Sequence, residues 1–84
     1  MKPIRLSAHA RDQLHRRGGI VQEVVETIRS SPWKPVKGGR FACSKNFPYS
    51  NEWNGKIYET KQVQPIFVDE PTEIVVVTVY TYFF

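Results

Sequence analysis

The stretch that decides the fold is Glu73 to Phe83, which reads EIVVVTVYTYF. It is rich in β-branched and aromatic residues, which favour strands, and the preceding residues 69–72 (DEPT) are typical of a turn. Lys56 to Val68 comes before that turn and reads as a second long strand, in which Pro65 requires a bulge or an edge position. The two segments predict an antiparallel hairpin with the last strand at the centre of the sheet.

The register of this hairpin follows if Glu70 lies opposite Glu73. One face then carries three cross-strand pairs, which we assign to the side covered by helices: Val68 with Val75, Ile66 with Val77, and Gln64 with Val79. The other face collects Phe67 with Val76, Pro65 with Thr78, Val63 with Tyr80, and Lys61 with Tyr82. We therefore expect a polar and aromatic strip on the side of the sheet that faces away from the helices.

The segment before the hairpin predicts at least one further strand. Gly39 to Lys45 (GRFACSK) alternates in the manner of a short strand, and Asn54-Gly55 is a strong signal for a tight hairpin turn. The predicted sheet therefore has three to four antiparallel strands.

Two helices are predicted before the sheet. Ser7 is a suitable N-cap for a helix over Ala8 to Arg17, which the pair Gly18-Gly19 ends. The second helix begins at Val21 and stops before Pro32, and its apolar residues recur at helical spacing: Val21, Val24, Val25 and Ile28. The expected fold is α+β, with two N-terminal helices packed on a twisted antiparallel sheet in a single domain over residues 1–84.

Length and composition exclude several classes of protein. A chain of 84 residues is too short for a two-domain enzyme, a dinucleotide-binding fold or a TIM barrel. The single Cys43 cannot form an internal disulfide, and with two histidines it cannot build a structural zinc site. No run approaches the roughly 20 apolar residues of a membrane span. We predict a cytoplasmic, reduced protein without metal, cofactor or membrane contact.

The charge is concentrated in the first half of the chain. The net charge is +4, but residues 1–45 carry ten Lys or Arg against three Asp or Glu, while residues 46–84 carry two against five. Five basic residues are candidates for phosphate contacts, and most of them are arginines, whose planar fork suits phosphate oxygens: Arg11, Arg16, Arg17, Arg40 and Lys45. A polyanion or an acidic protein segment is therefore the expected partner, although a solvated surface with uneven charge would look the same.

The chain resembles a family of short bacterial domains of unassigned function. The resemblance rests on His9-Ala10, on Arg17-Gly18 with Ile20, and on residues 76–80 (VVTVY), and it covers nearly the whole chain. That family is distantly similar to the RelE and BrnT ribonuclease toxins. The resemblance implies a RelE-like α+β fold, a metal-independent ribonuclease activity and an acidic antitoxin as neutralising partner. Relatives often carry arginine where this chain has Gln13.

The candidate site combines the first helix with the last strand. Metal-free RNA cleavage needs proton transfer and stabilisation of the charge that develops on the phosphate. We assign the proton transfer to His9, the phosphate contact to Arg17, and the positioning of substrate to Thr78 and Tyr80. Further substrate contacts are predicted for Arg16, Arg40, Lys45 and Lys61.

Each of these residues also has an ordinary structural explanation. A histidine near an N-cap often bonds a backbone group, arginines suit the C-terminus of a helix, and Thr78 and Tyr80 are common strand residues. Three functions therefore stay open: a RelE-like ribonuclease that acts on RNA, a non-catalytic module that binds nucleic acid or protein, and an interaction unit that forms a homodimer through the C-terminal strand.

Overall fold

The computed structural model describes residues 1–84. Along the chain, a short strand is followed by two helices and then by five further strands. The elements are β1 (Ile4–Leu6), α1 (Ala8–Arg16), α2 (Val21–Ser30), β2 (Lys34–Val36), β3 (Arg40–Ala42), β4 (Lys45–Trp53), β5 (Lys56–Asp69) and β6 (Ile74–Phe83). The fold is α+β, as the sequence predicts. Neither helix has the length and apolar character needed to cross a membrane.

The sheet is larger than expected and mixed in direction. Its strands run in the order β1-β6-β5-β3-β2, and β4 pairs with β5 on the same side as β3. The prediction of three to four antiparallel strands is therefore wrong in number. It is also wrong in direction for β1, which pairs parallel to β6. The strands β1 and β2 have three residues each, which is too short for an alternating pattern to stand out in the sequence.

Both helices begin and end close to where the sequence places them. The Ser7 hydroxyl accepts a hydrogen bond from the backbone N–H of Ala10 at 3.1 Å, which confirms Ser7 as the N-cap of α1. Although α2 has no polar residue at its N-cap, the Glu23 carboxylate accepts the backbone N–H of Ile20 at 3.3 Å and replaces that cap. α1 packs on β6 and α2 packs on β5, so the two helices cover one face of the sheet.

A bulge in β6 changes which side chains of that strand face the helices. The predicted pair of Val68 with Val75 is present, but the register shifts by one residue beyond it, so that Ile66 lies opposite Thr78. The side chains turned towards the helices are Phe67, Pro65, Val63 and Lys61 of β5, together with Val76 and Val79 of β6. The face assignment made for β5 is therefore wrong. Phe67 is fully buried and packs edge-on against Trp33 at 4.8 Å between ring centroids.

Pro65 lies where β5 changes its partner strand. Ala42 at the end of β3 pairs with Ile66, and Lys45 at the start of β4 pairs with Val63. On that side no residue pairs with Gln64 or Pro65, which suits Pro65 because proline has no N–H to donate to a neighbouring strand. The sheet therefore has a gap between β3 and β4, bridged by Cys43-Ser44.

Candidate functional site

α1 lies along the outer side of β6, next to the part of that strand that β1 does not reach. β1 pairs with β6 only over Ile74–Val76. Beyond that, side chains of α1 contact β6: the Thr78 hydroxyl donates to the side-chain oxygen of Gln13, and Arg17 reaches Val79 and Tyr80. Three of the four residues predicted as catalytic, Arg17, Thr78 and Tyr80, thus lie together at the end of α1.

The Arg17 guanidinium is held by two contacts. Its Nη1 donates to the carbonyl of Val79 at 2.9 Å, and its central carbon lies 5.0 Å from the centroid of the Tyr80 ring. No carboxylate forms an ion pair with it, whereas the neighbouring Arg16 pairs with Asp12 at 3.1 Å. A fixed cation with free N–H groups and no acidic partner is suited to bind an anion.

The backbone around Arg17 is held by a hydrogen bond from β6 and by the turn at Gly18. The Thr81 hydroxyl donates to the carbonyl of Arg17 at 2.7 Å, and Gly18 follows in the left-handed region with φ of +72°. A Cβ atom on Gly18 would lie 2.7 Å from the Trp53 ring, so glycine is needed both for the conformation and for the space. The end of α1 is therefore a rigid support for the Arg17 side chain.

His9 does not join this group. It is exposed near the start of α1, eight positions before Arg17, which corresponds to about 12 Å along the helix axis. No side chain or backbone group is hydrogen-bonded to the imidazole. His9 therefore shares the helix but not the Arg17 contacts.

The residues predicted as further substrate contacts are dispersed. Arg16 is exposed at the end of α1, and Arg40 is exposed at the start of β3, on the far side of β5. Lys45 pairs with Glu26 at 3.2 Å and donates to the Ser30 hydroxyl at the same distance, so its charge is already compensated by α2. These residues do not form one cluster with Arg17.

Lys61 is buried beneath the helices and cannot contact a substrate in this structure. Its ammonium lies 2.8 Å from a carboxylate oxygen of Glu23, donates to the carbonyl of Gly18 at 3.1 Å, and lies 5.4 Å from the centroid of the Tyr49 ring. Only 6% of the residue is exposed. The helices cover the face of β5 that carries Phe67, Pro65 and Val63, and Lys61 belongs to the same alternating set, so the prediction of Lys61 as a substrate contact on the open face is wrong.

The open face of the sheet brings Thr78, Tyr80 and Tyr82, which the sequence predicts on that face, together with β2, β3 and β5 residues that it did not single out. The register aligns Lys34, Ala42, Ile66 and Thr78 in one row across four strands, which corresponds to about 14 Å. Gln64 lies opposite Tyr80, and Gln62 lies opposite Tyr82. Tyr80 and Tyr82 are 40% and 47% exposed. The prediction that Thr78, Tyr80 and Tyr82 share the face away from the helices is confirmed, but their neighbours on β5 are Gln64 and Gln62 and not Val63 and Lys61.

Other reactive groups are few. Burial raises the pKa of the Cys43 thiol to about 11, so it stays protonated at neutral pH. No three His, Cys, Asp or Glu side chains are grouped so that they could hold a metal ion. No protein-family model, no curated protein and no solved structure matches this chain.

Proposed function

We propose that the chain binds single-stranded RNA on the open face of its sheet, beside the end of α1. The observation that carries the proposal is the Arg17 guanidinium, fixed on the Val79 carbonyl and the Tyr80 ring without an acidic partner. Its free N–H groups suit a phosphate, and the exposed rings of Tyr80 and Tyr82 suit the stacking of unpaired bases. The net charge of +4 favours the same class of partner.

Replacing Arg17 with Ala tests this binding. We expect the affinity for a short single-stranded RNA to fall by about 10- to 100-fold, because a hydrogen bond to a charged group is worth about 1.5 to 3 kcal/mol. Fluorescence anisotropy at fixed salt measures the affinity, and circular dichroism checks that the variant is folded. The salt dependence of binding should also become less steep, since one phosphate contact is lost.

Arg11→Ala is the matched control for this experiment. Arg11 is exposed on the same helix, has no ion pair, and lies about 120° around the helix axis from Arg17. We expect its removal to weaken binding by about twofold at most, through the long-range charge alone. Equal losses for the two variants would contradict a specific role for Arg17.

The second candidate function is cleavage of the bound RNA by a ribonuclease of RelE/BrnT type, with a RelE-like arrangement of helices on the sheet. It is favoured by the position of Arg17 beside Tyr80, where a cation and a phenolic hydroxyl can contact one phosphate. The Thr78 hydroxyl donates to Gln13 and would have to release that bond to contact the phosphate as well. His9 would exchange the protons. Because it stands about 12 Å away along α1, the RNA backbone would have to follow the helix from Arg17 towards its N-terminus.

His9→Ala separates cleavage from binding. If the protein is a ribonuclease, we expect the variant to cleave an end-labelled RNA at least about 100-fold more slowly, the lower range for loss of a general acid or base, with unchanged affinity. Gel analysis of the products measures the rate. Wild-type protein that binds RNA without cleaving it would instead support a non-catalytic module.

Two protein partners belong to the same proposal. An acidic antitoxin would cover the exposed cations near Arg17, and growth arrest on expression, relieved by the product of a neighbouring gene, would support it. A homodimer through the C-terminal strand would have to use the residues after Thr81, because α1 already contacts β6 up to that position.

A further inference from the structure

The gap between β3 and β4 opens into a depression on the sheet. The depression has a volume of about 380 Å³, and its lining residues include Trp33, Lys34, Ser44 and Gln64. This volume lies within the range of small-ligand sites. It exists because β5 has no strand partner at Gln64 and Pro65 on this side.

The lining of the depression combines an aromatic ring with polar groups that can hydrogen-bond to a base. Trp33 is 37% exposed, and its ring is fixed because Nε1 donates to the Ile28 carbonyl at 2.8 Å while the ring packs against Phe67. A fixed indole offers a surface on which a base can stack. The Ser44 hydroxyl and the Gln64 amide are free of intramolecular hydrogen bonds and can bond the edge of that base.

The charge around the depression is positive. Lys34 is exposed and forms no ion pair. The segment 27–51, which contributes all the lining residues except Gln64, contains no Asp or Glu and five Lys or Arg. A phosphate next to Lys34 would therefore meet no opposing carboxylate from the same segment.

The depression lies one strand away from the Arg17 site. Gln64 lies at its border and directly opposite Tyr80 on β6, and side chains opposed in this way have Cβ atoms about 5 Å apart. One RNA strand can therefore extend from Arg17 and Tyr80 across Gln64 to Lys34, over a row of about 14 Å.

We infer that this depression is a base-reading subsite for one unpaired nucleotide of the bound RNA. Its base stacks on Trp33 and hydrogen-bonds to Gln64 and Ser44, while its phosphate contacts Lys34. The inference rests on the proposed RNA binding and adds to it: Arg17 contributes affinity without regard to sequence, and the depression contributes preference for a base. Backbone contacts carry no sequence information, whereas contacts to base edges do.

Binding of oligoadenylate, oligocytidylate and oligouridylate of equal length tests the inference by anisotropy. We expect the wild-type affinities to differ by about tenfold, as one good base contact allows. In Gln64→Leu the three affinities should converge to within about twofold, whereas Arg17→Ala should lower all three by the same factor. Lys34→Met should likewise lower all three, and Lys37→Met, from the same exposed hairpin but outside the depression, should do so less.

The outcomes separate the two proposals. If Arg17→Ala lowers affinity but Gln64→Leu leaves the base preference unchanged, or the wild type shows no preference, the subsite is refuted and RNA binding stands. If the wild type binds none of the three, both proposals fail.

A second readout uses tryptophan fluorescence. Trp53→Phe leaves Trp33 as the sole tryptophan, and its fluorescence should be quenched by the preferred oligonucleotide. Unchanged emission at saturation would overturn stacking on Trp33.

Discussion

Replacing Lys61 with Met is expected to lower the free energy of unfolding by about 3 to 5 kcal/mol, the usual cost of leaving one member of a buried ion pair without its partner. The Lys61 ammonium contacts Glu23 at 2.8 Å, and both side chains are largely buried, with 7% and 14% exposed. In the variant the Glu23 carboxylate would remain beneath the helices with only the backbone N–H of Ile20 as a donor. Urea denaturation followed by circular dichroism measures the loss.

A double variant distinguishes the ion pair from simple packing. Glu23→Gln keeps an oxygen for the N–H of Ile20 and removes the charge, so Lys61→Met combined with Glu23→Gln should recover about half of the lost stability or more. A Lys61→Met variant that loses less than about 1 kcal/mol would show that the pair is solvated in solution. Lys45→Met, which breaks the more exposed pair with Glu26, serves as the control and should cost about 1 kcal/mol at most.

The same ion pair supports the candidate site. Lys61 also donates to the carbonyl of Gly18, the residue that follows Arg17, and so ties the end of α1 to β5. Loss of this contact should loosen the backbone that carries the Arg17 guanidinium. Lys61 was predicted as a substrate contact, but its position connects it to substrate only through the support it gives to Arg17.

Phe67→Ala is expected to lower the free energy of unfolding by about 3 to 5 kcal/mol, the typical cost of removing a buried aromatic side chain. Phe67 is fully buried among the core residues and packs against the rings of Trp33 and Phe41. The neighbouring Ile66 points to the open face and is only partly buried, so Ile66→Ala should cost clearly less, about 1 to 2 kcal/mol. Chemical denaturation of both variants gives the comparison.

This pair of variants tests which face of β5 the helices cover. The register read from the sequence places Ile66 beneath the helices and Phe67 on the open face, and it would make Ile66→Ala the more costly change. The observed burial of Phe67 beneath the helices predicts the reverse. Equal losses, or a larger loss for Ile66→Ala, would contradict the face assignment on which the open-face RNA site depends.

The local structure follows from the order of the amino acids alone. Ser7 as a cap, the glycines after Arg17 and Pro32 set the ends of both helices, and Asn54-Gly55 set the hairpin between β4 and β5, where both residues have positive φ. These signals act within a few residues, because they depend on backbone conformation and on side chains that bond nearby backbone groups. The uneven charge that points to a polyanion is likewise a property of the sequence alone.

Which side chains meet depends on how the strands and helices pack together. One extra residue in β6 exchanges the faces of that strand beyond it, so that Val79 is buried and Tyr80 lies on the open face opposite Gln64. Lys61 is buried because the helices cover the face of β5 that carries Phe67. The gap at Pro65 likewise depends on where β3 ends and β4 begins. The physical reason is that side chains alternate with a period of two along a strand, so a shift of one residue exchanges the buried and open sets. Local preferences barely distinguish such registers, and the packing of Phe67 beneath the helices selects between them.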